Sequence, residues 1–95
     1  MIDYTPPTPA DLRRLKDELG YTGEQMAALA SVVGGQQWRK YTGGAQPRAV
    51  NIHILFFMAA RLALTPEALR LVGHQMREMG AEINPMELSE LPKNS

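Results

Sequence analysis

The stretch TGEQMAALASVVGGQQWRKYTGG, Thr22 to Gly44, decides how this chain folds. Thr22 and Gln25 stand at the spacing of a capping box, in which the threonine oxygen accepts from the amide three residues on and the glutamine reaches back. Met26, Leu29 and Ala30 give the short helix that follows one apolar face. Gly34-Gly35 is the strongest breaker in the chain, so Ser31 to Gly35 reads as a turn. The next short helix runs from Gln36 to Tyr41 and is stopped by Gly43-Gly44. At helical spacing Trp38 and Tyr41 point away from Gln36, Arg39 and Lys40. The aromatic pair therefore faces the interior and the polar, cationic row faces solvent.

On the amino-terminal side, Pro6, Pro7 and Pro9 favour an extended lead-in. Thr8 then caps a helix whose buried stripe is Leu12, Leu15 and Leu19 and whose stop is Gly20. On the other side, Ala45 to Ala49 reads as a loop around Pro47. A helix from Val50 to Ala63 carries a stripe of Ile52, Leu55, Phe56, Ala59 and Leu62, widened by Ile54, Phe57 and Met58. Thr65-Pro66-Glu67 restarts the chain as cap, first-turn proline and dipole-compatible acid. Leu69, Val72, Met76 and Met79 line that last helix, which Gly80 ends. No period-2 strand pattern of useful length occurs. The expected fold is all-α, a compact five-helix bundle over residues 9–80, with an extended lead-in over 1–8 and a C-terminal tail over 81–95. One turn of that tail is begun by Asn84-Pro85.

Ninety-five residues suffice for one domain. Ten basic residues balance ten acidic ones, but they are segregated: from Gln25 to Pro66 there is no acid, while Arg39, Lys40, Arg48 and Arg61 give that stretch four positive charges. A neutral chain can in this way present a positive face. The absence of cysteine removes disulfides, thiolate metal sites and a cysteine nucleophile. His53 and His74 lie far apart and lack acids at ligand spacing, so neither a metal nor another cofactor is expected. No nucleophile elbow, phosphate loop or apolar carboxylate pair supports an enzyme. The apolar run Ile52 to Leu64 is too short to span a bilayer and contains His53 and Arg61, and the first residues lack a secretory pattern. A soluble, cytoplasmic protein is the expectation.

Two short helices joined by a tight turn, the second bearing glutamines beside cations, suit a helix-turn-helix. In that arrangement the first helix braces on the phosphate backbone and the second enters the major groove. Glutamine can bond adenine at N6 and N7, and arginine or lysine can bond guanine at O6 and N7.

The segment resembles the Cro and lambda-repressor family of regulators. The resemblance rests on Thr22-x-x-Gln25-Met26-Ala27, on Ala30-Ser31-Val32, and on Gln36-Gln37-Trp38-Arg39-Lys40-Tyr41-Thr42-Gly43-Gly44, and it extends more loosely from Thr8 to Gly80. It implies a dimeric, sequence-specific binder of double-stranded DNA of phage or bacterial type, and a repressor by function. Gln36, Gln37, Arg39 and Lys40 would read bases or phosphates, with Thr42 and Arg48 near the backbone. Thr22, Gln25, Met26, Ala27, Trp38 and Tyr41 would be structural anchors, Tyr41 standing where the family usually has a large apolar residue. Two features depart from the pattern: Gly23 stands where a phosphate-touching Gln is frequent, and the turn reads one residue longer than usual. The alternative reading is a protein-interaction module on the same scaffold, such as a phage-encoded inhibitor or an antitoxin-type partner-binding protein.

Overall fold

Four of the five helices begin with the same chemistry: a side-chain oxygen accepts the amide hydrogen three residues on. Thr8 accepts from Asp11, Thr22 from Gln25, Asn51 from Ile54 and Thr65 from Ala68. At Thr8 and Thr22 the third residue also bonds back, completing capping boxes. In the computed structural model, which describes residues 1–93, these caps open α1 (Pro9–Leu19), α2 (Gly23–Ala30), α4 (Ile52–Ala63) and α5 (Pro66–Glu78). The remaining helix, α3 (Gly34–Thr42), follows Val33, which supplies no side-chain cap. Gly20 closes α1 in the left-handed conformation (φ 69°), and Ser31 does the same for α2 (φ 58°). Among the described residues there is no strand, and no helix is long and apolar enough to cross a membrane.

The core gathers Leu12 of α1, Tyr21, Met26, Ala27, Leu29 and Ala30 of α2, Trp38 and Tyr41 of α3, Val50, and Met58 of α4. Leu15 and Leu19 pack against it half-buried, so the stripe read for α1 is its inner face. The lead-in is extended but docked: the Tyr4 hydroxyl donates to the Val50 carbonyl at 2.8 Å.

Two expectations are corrected, and a third, the turn at Asn84-Pro85, holds and extends into a docked segment. The turn before α3 is shorter than the sequence suggests, because Gly34 and Gly35 form the first turn of the helix. Only Ser31, Val32 and Val33 separate α2 from α3. Glycines break helices in the interior, but at a helix start the backbone freedom is tolerated, and Gly34 uses it with φ of 72°. The second correction concerns α4, which begins at Ile52 and turns inward a different stripe from the one expected. Met58 and Arg61 are buried and Ile54 packs on the core, whereas Phe56 is 72% exposed and Ala59 and Leu62 are also exposed. An α4 with two apolar faces cannot be oriented by periodicity alone; the partners on α2 choose the Ile54–Met58–Arg61 side.

Third, residues 81–93 are no loose tail. Pro85–Ser89 forms a 3-10 helix with Pro85 and Leu88 buried, and it is the main partner of α5. Gly73 makes this docking possible, since a Cβ there would sit 2.7 Å from the Pro85 Cα. As a result Leu69 and Gly73 form the buried side of α5, while Val72 and Met79 of the expected stripe are exposed. The strap continues to Tyr21, whose hydroxyl donates to the Pro92 carbonyl at 2.6 Å, and to Gln25, whose amide donates to the Lys93 carbonyl. Residues 94 and 95 lie outside the described part.

Arg61 ties these pieces together. Only 7% exposed, it donates from Nη1 to the carbonyls of Ala28 (3.0 Å) and Leu29 (2.9 Å), from Nε to Leu88 (3.1 Å) and from Nη2 to Glu90 (2.8 Å). Two of those carbonyls end α2, where the helix dipole favours a cation. Phe57 covers the guanidinium at 5.4 Å. Burial lowers the pKa of the group, yet an arginine keeps its proton at any ordinary pH. Replacing Arg61 with Ala takes a donor from four carbonyls, of which, among the described residues, only that of Ala28 keeps another in the Ser31 amide, and we expect a loss of about 3 kcal/mol or more in urea unfolding. Gly73→Ala should cost about 1–3 kcal/mol by overpacking and expose residues 81–93 to limited proteolysis.

Candidate nucleic-acid interface

Helix α3 divides its residues as the spacing predicts. Trp38 is 1% exposed and Tyr41 is buried; their rings meet edge to face, with centroids 6.0 Å apart and planes at 61°. Met26 and Ala27 of α2 are buried in the same core. The Trp38 Nε1–H finds no acceptor among the described residues. Gln36, Arg39 and Lys40 are exposed and Gln37 is half-buried, which makes Gln36 the more accessible of the two glutamines.

The earlier start of α3 changes where these residues sit along it. Gln36 and Gln37 belong to the first half, while Arg39 and Lys40 occupy the last turn, where they also favour the negative end of the helix dipole. Thr42 is half-buried, and its carbonyl accepts from Arg13 of α1. The Arg48 amide donates to the Lys40 carbonyl at 2.7 Å, folding the 43–50 loop back and leaving the Arg48 side chain exposed beside the end of α3. Arg39, Lys40 and Arg48 take part in no ion pair among the described residues, where the pairs join Arg14 to Asp11 and Glu18.

Two residues alter the charge pattern read from the sequence. Arg61 belongs to the acid-free stretch, but its charge is spent inside the protein, so three cations of that stretch face solvent. Its spacing from Ile54 and Met58 does not announce this, because the contact with α2 decides which face of α4 is buried. Glu24, one residue before the acid-free stretch, folds back onto α3: its Oε1 accepts from the Gly35 amide at 2.7 Å. Nothing in the spacing of Glu24 announces that contact, because it depends on how α2 and α3 cross. Gly23 lies at the same crossing, its missing Cβ directed at the Gly35 Cα.

Thr22 and Gln25 form the predicted capping box. Gln25 also holds the C-terminal strap, so the amino end of α2 is shared with Lys93. His53 is exposed, and no group of three or more metal-ligating side chains occurs among the described residues.

A groove of about 470 Å³ separates α4 from α5 on another part of the molecule, lined by Ile2, Ile52, Phe56, Leu64, Val72 and Met76 among others. Its walls are almost wholly apolar.

Compared with protein-family models, curated proteins and solved structures, the chain matches none of them.

The division of α3 has a direct test in stability. Trp38→Ala should cost about 3–5 kcal/mol, whereas Arg39→Ala and Lys40→Ala should stay within about 0.5 kcal/mol of the parent, as solvent-facing changes do. Urea titrations followed by circular dichroism distinguish these outcomes.

Proposed function

We propose that this protein is a sequence-specific, double-stranded DNA-binding regulator of repressor type that acts as a homodimer, with α2 and α3 working as a helix-turn-helix. The observation that carries this reading is the outward row of Gln36, Arg39 and Lys40 on a short helix whose opposite side is anchored by Trp38 and Tyr41. The three-residue connection is of the length such motifs use. Gln36 and Arg39 read base edges, Gln37 and Lys40 flank them, and Arg48 and Thr42 lie against the phosphate backbone. None of these side chains needs to be withdrawn from an ion pair before it meets DNA.

The α4–α5 groove supports self-association. Phe56, Leu64 and Val72, which line it, are exposed to solvent. A two-fold dimer presents two copies of α3 to half-sites about 34–36 Å apart.

Binding to a fluorescent random-sequence duplex should be measurable at low salt and fall steeply as salt rises. Complete absence of binding at low salt would favour the protein-interaction alternative. On a duplex selected by the protein, Arg39→Ala should lose about 1–3 kcal/mol and relax base preference at one position, while Arg48→Ala weakens all sequences alike and lowers the salt slope by about 1. Phe56→Ser should shift the dimer to monomer in sedimentation equilibrium without changing the helical circular dichroism.

A further inference from the structure

Backbone amides at the start of a helix attract anions, because they lack partners and stand at the positive end of the dipole. In α3 this place is already taken. Val33 caps nothing, and the Gly35 amide donates to Glu24 Oε1 at 2.7 Å. Gly35 makes room for the carboxylate, since a Cβ there would lie 2.8 Å from Oε1. Arg39 approaches the same place, its Nη1 3.4 Å from the same missing Cβ, without forming an ion pair with Glu24. Glu24 is itself exposed, so its negative charge is felt by whatever approaches the amino end of α3.

From these contacts we infer that Glu24 is a specificity-determining residue: it excludes phosphate from the start of α3 and so leaves the first turn free for base edges. This inference rests on the DNA-binding reading above. The result is a helix with unequal end charges. At the amino end the Glu24 carboxylate and the Arg39 guanidinium, which reaches back beside Gly35, offset one another, while Lys40 and Arg48 stand at the carboxyl end. Residues 35 and 40 are separated by about 7.5 Å along the axis at 1.5 Å per residue, close to a Debye length at physiological salt. A phosphate is therefore drawn more strongly to the carboxyl end of α3 than to its amino end. That fixes the register of the helix on the duplex, and it penalises placements in which α3 meets the backbone with its amino end. Binding to random DNA is almost wholly electrostatic, so the carboxylate acts more on non-specific than on specific complexes.

Two substitutions separate charge from capping. Glu24→Gln keeps an oxygen for the Gly35 amide and removes the charge; Glu24→Asp keeps the charge and withdraws it from the amide. Affinity is measured by fluorescence anisotropy at two salt concentrations, for a random-sequence duplex and for a duplex selected by the unchanged protein from a random library. Thermal unfolding is followed in parallel. Glu24→Gln should bind the random duplex about two- to fivefold more tightly, the range set by a helix-end charge interaction. The selected duplex should gain less, so discrimination falls. Glu24→Asp should melt earlier but discriminate as the parent does. If Glu24→Gln leaves both affinities unchanged, or Glu24→Asp is the variant that loses discrimination, Glu24 is a cap only and the inference is overturned. If the unchanged protein binds neither duplex at low salt, the DNA-binding reading itself has failed, a result distinct from the first.

Discussion

A buried guanidinium without a carboxylate partner among the described residues is an unusual thing to build a small domain around, and Arg61 is held by carbonyl dipoles beneath the Phe57 ring. Two of its acceptors close α2 and two belong to the segment after α5. Desolvating a cation is costly, and its loss would leave several carbonyls without donors; the penalty is avoided only while all the pieces stay in place. The orientation of α2 thus depends on residues far along the chain. Since α3 is connected to α2 by three residues and packed on it, the outward row of α3 inherits that dependence. A device at the centre of the molecule holds the surface at its edge.

The C-terminal strap gains its meaning from the same contact. Pro85 meets Gly73, Leu88 and Glu90 offer carbonyls to Arg61, and Pro92 and Lys93 reach Tyr21 and Gln25 at the start of α2. Both ends of α2 are therefore fastened by one stretch of chain. By contrast α5 leans chiefly on the 3-10 helix and leaves the groove beside α4 open, which accounts for the flattened outline of 42 × 39 × 21 Å.

Local rules carried the sequence reading wherever the deciding partner lay within a few residues. Thr8, Thr22, Asn51 and Thr65 signal helix starts because each satisfies an amide three positions away. Trp38 and Tyr41 mark the inner side of α3 because the polar residues beside them exclude the alternative. The reading failed where distant partners decide. Phe56 and Met58 are both apolar, and only the position of α2 determines that Met58 goes inside. Gly34 and Gly35 look like a break because the use of Gly35, admitting a carboxylate from the preceding helix, is tertiary. Residues 81–93 look polar and irregular, since much of their anchoring goes through main-chain carbonyls, which carry no signature in the side chains. For the candidate site, the exposed row was legible; the carboxylate that borders it and the inward diversion of Arg61 were not.

Because Trp38 and Tyr41 hold α3 from one side only, the residues on its other side are released from any duty to the fold. Gln36, Arg39 and Lys40 can drift, or be exchanged by an engineer, at little cost to folding. Such a layout lets the outer surface of one helix change through a handful of substitutions, while the scaffold beneath goes on being inherited unchanged.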